Sequence, residues 1–419
     1  MLKKNITNIL LIISLTILLF GSGYKLGQFR TTRLILGSSG AQTSPKSSDN
    51  SRIKNLDFDL FWDTWNKIED KYVDKKKINT KKMFYGAIKG MVASVEDQYT
   101  FFLTPEENKQ SKDDLGGKFE GIGAQLGLKD NRIIIIAPLK NSPAINAGIR
   151  SGDYINKVDG QSTKGWSTAQ AVSKIRGEKG TQVKLTVERE GKESEISIIR
   201  DVIRVASVEL SYEKDIDCQI DCPKVAYLRL NQFGDKTNQE WDNATLEIEQ
   251  KWKDNEIKGM VLDVRDNPGG YLDSAVYLAS EFLPQGKLVV KQESTTEKNK
   301  DYYTVYNGRL QTIPLVILIN QGSASASEIL SGALRDYKRA VLIGEKSFGK
   351  GSVQEALDLK DGAGLHVTVA KWILPKGDWI NAKGIEPGIK IENKIENGNT
   401  ISRQTDVQLE KAVDEILKK

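Results

Sequence analysis

The chain has 419 residues, more than one hydrophobic core usually serves, so two or three folded units are expected. A composition of 39% hydrophobic and 28% charged residues sets aside a disordered or fibrous chain. The net charge of +5 comes from well-mixed lysine, arginine, aspartate and glutamate rather than a basic stripe, which argues against nucleic acid as a partner.

The first segment, "MLKKNITNILLIISLTILLFGSGYKLGQFR", sets Lys3 and Lys4 before an apolar run from Ile6 to Phe20. That pattern suits a signal peptide or signal anchor. Lys25, Gln28 and Arg30 follow too soon for a small-x-small cleavage site, so residues 1–33 are expected to be an uncleaved membrane anchor. The run has no polar face, which disfavours a buried core helix. The folded part is then expected outside the cytoplasm, periplasmic or extracellular, on a single-pass anchor. Residues 34–55, with "SSGAQTSPKSSDNS", read as a flexible tether.

From 56 to 112, "LFWDTWNKIEDKY" and "KKMFYGAIKGMVASV" carry apolar residues at helical spacing. A small helical region is expected there, serving packing or dimer contacts, and hence a homo-oligomer, rather than chemistry.

Residues 113–200 change character. "GIGAQLGL", "RIIIIAPL", "YINKVDG" and "VKLTVER" are short β-type runs broken by glycine and Asn-Ser-Pro, with one helical stretch, "STAQAVSKIRG". "FEGIGAQL", "NSPAINAGIRSGDYINKVDG" and the helix near residues 169–175 together resemble a PDZ domain. Such a domain takes an extended peptide as an added strand while backbone amides of a glycine-rich loop hold its terminal carboxylate. The amides of Gly121, Ile122 and Gly123 would do so here, unless these glycines only shape a hairpin.

From 201 to 400 the strands "KVAYLRL", "IKGMVLDVR", "PLVILIN" and "RAVLIGE" alternate with helices "NQEWDNATLEIEQKW", "LDSAVYLASEFL" and "ASEILSGALRDY", an α/β pattern. Cys218 and Cys222 form a Cys-x3-Cys pair, either a local disulfide or two free thiols. Zinc would need two further ligands, and the chain holds one histidine and no other cysteine, so no metal is expected. Residues 401–419 end in a short amphipathic helix, "DVQLEKAVDEILKK".

The segment "QGSASASEILSGALRD" holds three serines after an apolar strand. Ser325 to Glu328 fits a capping box, in which serine and glutamate satisfy helix-start donors. A serine at a strand-to-helix turn also faces free backbone donors and a helix dipole, which suits a nucleophile that must generate an oxyanion. A Ser-His-Asp set needs a histidine, and the only one, His366, sits in the strand-like "LHVTVAKW" without an acid motif nearby. Lysine offers another base: "GEKSFGKGSVQ" puts Lys350 between two glycines beyond a strand. Desolvation that lowers its pKa from about 10.4 to roughly 7–8 would let it act.

"GSASASEILSGALRD" followed by "RAVLIGEKSFGKGSVQ" resembles the serine-lysine pair of the C-terminal processing (tail-specific) proteases. The likeness extends through "YGAIKGMVASVEDQYTFFLTPEE", "LDVRDNPGG" and "LPKGDWINAKGIEPGI", covering the chain after the tether. It implies Ser325 as nucleophile, Lys350 as general base and Gln354 as the group orienting that lysine, leaving Ser323 and Ser327 as turn and capping residues. The backbone amide of Ala326 and one from Gly269 or Gly270 would form the oxyanion hole, although by local sequence alone "NPGG" reads better as merely a turn. The fold implied is α/β plus PDZ: an N-terminal helical region, a β-rich PDZ domain and a crotonase-like ββα spiral core. The expected function is an extracytoplasmic serine endopeptidase that needs no cofactor, acts on proteins with accessible C-termini, and is served or gated by its PDZ domain. Two readings compete: a catalytically silent PDZ adaptor, and an acyl-CoA enzyme on the same spiral, for which no basic nucleotide pocket is apparent.

Overall fold

The computed structural model describes residues 57–418 apart from 140, 151, 167, 217–221, 297 and 394–401. The expected anchor and tether, and residue 56, lie outside them. Among the described residues no helix is long and apolar enough to cross a membrane. The chain divides into two compact units at the boundary between Asn79 and Thr80, which falls inside the expected helical region.

The described part of the first unit is the helix Asp59–Lys71 and a 3-10 turn, Lys75–Lys77. Its aromatic residues Phe61, Trp62 and Trp65 touch one another along the helix.

The second unit opens with the helix Thr80–Ala93, the short strand Phe101–Leu103 and the helix Pro105–Leu115. Thr104 begins the last of these with a full capping box, its side chain and that of Glu107 each satisfying the other's backbone donor. Phe101–Leu103 is not a loose connector: it pairs antiparallel with Gly364–Ile373, joining the N-terminal helices to a sheet at the far end of the chain.

The next body is a five-strand antiparallel path, Ala124–Lys129, Arg132–Pro138, Tyr154–Val158, Gln182–Arg189 and Lys192–Ile199, with the helix Thr168–Ile175. In "RIIIIAP" Ile133 and Ile135 are fully buried while Ile134 and Ile136 lie on the other face, the period of two of a strand with one face in a core. Ala124–Lys129 ends the sheet, so among the described residues one side of it carries no partner strand.

Six strands form a further sheet among the described residues: Val208–Lys214 is antiparallel to Lys224–Leu230, after which Ile257–Asp263, Leu315–Ile319, Val341–Gly344 and Ile389–Lys390 follow in parallel. The unbroken apolar runs have a cause here. Met260 and Leu262, with Leu315, Ile317 and Ile319, point into a core shared with the helices Thr237–Lys253, Leu272–Ser280 and Ala326–Asp336. Val261, Val316 and Leu318 point to the other face, against Leu409, Ala412, Val413 and Ile416 of the C-terminal helix Val407–Leu417. Both faces are covered, so the middle positions of these strands are apolar on either side, while Asp263 at a strand end is ion-paired.

Asp406 caps that last helix by accepting from Leu409 N–H. It also pairs with buried Arg265, whose guanidinium holds Asp263 at 2.6 Å and Asp406 at 2.8 Å. Cys222 is disulfide-bonded, which removes the free-thiol reading of the Cys-x3-Cys pair.

Candidate active site

Three loops leave the C-terminal ends of adjacent parallel strands, where open α/β sheets gather ligands and chemistry. The loop after Leu315–Ile319, the middle strand, carries Ser325; the loop after Ile257–Asp263 carries Gly269 and Gly270; the loop after Val341–Gly344 carries Lys350.

The three serines of the middle loop are not equivalent. Ser323 is fully buried, its hydroxyl donating to the Val264 carbonyl at 2.7 Å and accepting from Asn320 N–H at 3.0 Å. Ser327 is fully buried too and donates to the Asn267 carbonyl at 3.0 Å. Ser325, between them, is partly exposed and stands at the start of the helix Ala326–Asp336 with φ 54° and ψ −115°. A left-handed φ at a non-glycine residue costs of order 1–3 kcal/mol and persists only where surroundings enforce it. The enforcement is visible: Ala324 N–H donates to the Asn267 carbonyl, and Ser325 N–H donates to Glu328 Oε2 at 2.9 Å.

Glu328 does more than cap the helix. It is buried, and both carboxylate oxygens accept twice: Oε1 from Ser347 Oγ at 2.6 Å and Gly349 N–H at 2.7 Å, Oε2 from Ser325 N–H and Lys350 N–H, each at 2.9 Å. One carboxylate oxygen therefore fixes the backbones of both Ser325 and Lys350. The sequence pattern reveals only the local half of this role.

Lys350 is partly buried, and burial lowers its pKa below the ordinary lysine value, with the negative charges of Glu328 and Asp97 opposing. Its Nζ lies over the Tyr99 ring, 5.3 Å from the centroid. Among the described residues no hydrogen bond joins Nζ to Ser325 or to Gln354. Gln354 instead donates to Ser352 Oγ at 2.8 Å and Thr368 Oγ1 at 3.3 Å.

Gly269 and Gly270 have φ of 100° and 136°, the left-handed side that glycine tolerates best. A Cβ on Gly269 would lie 2.8 Å from Ser325 Cβ and 2.9 Å from Ala326 N, so this turn abuts the serine. Gly269 N–H is already taken by Asn267 Oδ1 at 2.9 Å. Gly270 N–H has no acceptor among the described residues, and Ala326, in the first helical turn, has no intrahelical one. Asn267, fully buried, organises this arrangement: its side chain also donates to the Leu230 carbonyl at 2.7 Å.

His366 stacks on Phe101 with centroids 4.7 Å apart, and burial together with the Lys350 charge lowers its pKa. It makes no hydrogen bond to Ser325 among the described residues.

In the antiparallel domain, Gly121 pairs in register with Asp201, at the end of the strand Lys118–Gly121. Ile122 and Gly123 accept through their carbonyls from Ala144 N–H at 2.8 Å and Leu139 N–H at 2.9 Å, and the Ile122 side chain is part of the core. The loop thus leads directly into the edge strand Ala124–Lys129.

Residues 224–391 match Peptidase family S41 and residues 121–199 match a PDZ domain. The carboxy-terminal processing protease CtpB of Bacillus subtilis (strain 168) is 33% identical over 384 residues, 92% of this chain and 78% of that one. The chain belongs to peptidase family S41. A "Probable CtpA-like serine protease" of Staphylococcus aureus (strain MRSA252) is 41% identical over 332 residues, 78% of this chain; the chain thus spans 64% of that relative's length. Among solved structures, the photosystem II D1 C-terminal processing protease superposes with a TM-score of 0.53 at 28% identity, covering 86% of this chain and 97% of that one. Ser325, Lys350, Gln354, Gly269 and Gly270 all fall inside the S41 match, whereas Asp97 and Tyr99, which the structure sets beside Lys350, lie outside both matched segments.

Proposed function

We propose that the protein is a serine endopeptidase that cuts proteins near their C-termini, with Ser325 as nucleophile and Lys350 as general base. The observation that carries this reading is the shared anchor: the backbone amides of Ser325 and Lys350 donate to one oxygen of Glu328. Two residues held on a common atom keep a defined separation, which an acid-base pair requires.

Neutral Lys350 takes the proton from Ser325 Oγ as that oxygen bonds to the peptide carbonyl carbon. The tetrahedral oxyanion is met by Ala326 N–H and Gly270 N–H. The Gly269 carbonyl accepts from Phe233 N–H at 2.9 Å, and in a trans peptide the Gly270 N–H points the opposite way, away from Phe233. The C–N bond breaks as the lysine ammonium returns its proton to the leaving amine, and water hydrolyses the acyl-enzyme in a second turn of the same chemistry. Nζ lies over the Tyr99 ring, and Gln354, held by Ser352 and Thr368, is the group that orients it toward Ser325.

The edge strand Ala124–Lys129 receives the substrate's C-terminal segment by strand addition, and the amides of Gly121, Ile122 and Gly123 face its carboxylate. This domain delivers the tail and gates the site. The core follows the crotonase-like ββα spiral, the helices from residue 56 to 112 form the N-terminal region, and the apolar run of residues 6–20 holds the protein at the membrane with its catalytic part outside the cytoplasm. The disulfide at Cys222 suits an oxidising compartment.

The test is incubation of the full chain, beside Ser325→Ala and Lys350→Ala, with an unfolded protein ending in an apolar tail, followed by mass spectrometry of the products. Cleavage lost in both variants supports the dyad. Cleavage surviving Ser325→Ala refutes it, and cleavage by none of the three, even with an added C-terminal peptide, favours the silent adaptor.

A further inference from the structure

The turn formed by residues 97–100 was expected to be remote from any chemistry, yet it faces the lysine. Tyr99 offers the face of its ring to Lys350 Nζ. Asp97 Oδ2 accepts from Thr100 Oγ1 at 2.6 Å and from Thr368 Oγ1 at 2.5 Å, and Asp97 Oδ1 accepts from Tyr99 N–H at 3.1 Å. Thr368 in turn accepts from Gln354 Nε2 and, through its own N–H, donates to Thr100 Oγ1 at 3.1 Å. The strand pairing of Phe101–Leu103 with Gly364–Ile373 holds this turn against the sheet.

We propose that residues 97–100 are a positioning element for the general base: the Tyr99 ring seats the Lys350 ammonium, and Asp97 ties that seat to Gln354 through Thr368. This rests on the reading of Lys350 as base. A ring face attracts an ammonium through its quadrupole and has no such hold on a neutral amine. The seat is therefore selective for the protonated lysine; once the proton leaves, the side chain is released to meet Ser325. Tyr99 acts on the reaction through Lys350 and touches no reacting atom.

The groups facing Nζ are the Tyr99 ring and Asp97 from the turn, Glu328 from the catalytic helix and His366 from the strand Gly364–Ile373. Burial lowers the lysine's pKa, while Glu328 and Asp97 oppose that shift. Asp97 itself is subject to burial, which pushes its carboxyl up, but the bonds from Thr100 and Thr368 and the Lys350 charge hold it below the ordinary range. Removing the ring alone takes away one stabiliser of the ammonium, so the lysine should lose its proton at lower pH.

The experiment is the pH dependence of phosphonylation of the full chain by a fluorophosphonate probe, in which Ser325 Oγ bonds to phosphorus and fluoride leaves, for the wild type, Tyr99→Leu and Tyr99→Phe. The acid limb reports the base, and its position does not depend on how much protein is folded. Tyr99→Leu should move that limb to lower pH by roughly half a unit to one unit, and Tyr99→Phe, which keeps the ring, should leave it in place. A limb unmoved in Tyr99→Leu, whatever its amplitude, overturns the proposal, and so does an equal shift in both variants or a shift to higher pH. Lys350→Ala separates the two readings: wild-type phosphonylation there removes lysine as the base, whereas lost phosphonylation there with an unmoved Tyr99→Leu limb removes only the seat.

Discussion

Glu328→Gln probes the joint between nucleophile and base with almost no change of shape. Four donors converge on the two carboxylate oxygens, and a glutamine amide has a single oxygen. With its NH2 toward Ser325 and Lys350, two backbone N–H groups lose their acceptor. With its NH2 toward Ser347 and Gly349 the outcome is milder, because the Ser347 hydroxyl can turn and accept, leaving one orphan at Gly349. The second orientation should prevail. It costs the desolvation of one buried N–H, about 1–3 kcal/mol, and weakens two charge-assisted bonds to neutral ones, so the total is roughly 2–4 kcal/mol. If half of that falls on the geometry of the transition state, acylation slows by about 10-fold or more, and the rest lowers Tm by several degrees. Loss of the negative charge beside Lys350 also moves the acid limb of the rate profile to lower pH, since Glu328 favours the ammonium. Thermal unfolding and the rate of fluorophosphonate labelling across pH read the two parts separately. A variant with wild-type Tm, rate and limb would show that the carboxylate joins nothing of consequence.

Gly269→Ala would put a methyl within 2.8 Å of both Ser325 Cβ and the Ala324 carbonyl at a φ of 100°. Acylation should fall by about 100-fold or more, the scale of losing an oxyanion donor, while circular dichroism stays native; unchanged acylation would separate this turn from the site. Ser323→Ala deletes two buried hydrogen bonds and should cost about 1–3 kcal/mol in denaturant unfolding, yet still give the probe adduct by mass spectrometry, which Ser325→Ala should not. Burial pushes the Asp406 carboxyl up, but Arg265 and its other donors hold its folded pKa below the unfolded value. That stability is present above the unfolded pKa of about 3.9 and lost as pH falls through the folded one. Asp406→Asn should therefore lose about 3 kcal/mol at pH 7, with a smaller deficit at pH 3, in urea unfolding; equal deficits at both would assign the loss to packing alone.

How much of this was legible follows from how far each cause lies along the chain. The parallel strands were readable because burial on both faces leaves an unbroken apolar run, as in "PLVILIN". The PDZ strands were readable because one buried face imposes alternation. The three serines could not be ranked from local sequence, since what separates Ser323 and Ser327 from Ser325 is a pair of carbonyls, Val264 and Asn267, on another strand's loop. Gly269 and Gly270 stood level for a similar reason: the side chain of Asn267 occupies one amide and not the other.

Glu328 shows where pattern reading stops. Spacing within "SASE" identifies a helix cap, and the cap exists, because Ser325 N–H does reach the glutamate. The same carboxylate has three further oxygen lone pairs to fill, and a helix start has no more donors in the right place. The fold fills them with Ser347, Gly349 and Lys350 from the next parallel strand's loop. Adjacent parallel strands must present their following loops at the same sheet edge, so a buried cap in one loop readily serves as an anchor for its neighbour. Asp97 and Tyr99 reach the same place by another route, through the single strand Phe101–Leu103 laid against Gly364–Ile373. A segment that reads as helical packing thereby supplies the surface on which the lysine rests, and only the pairing register, Phe101 opposite His366, could have announced it.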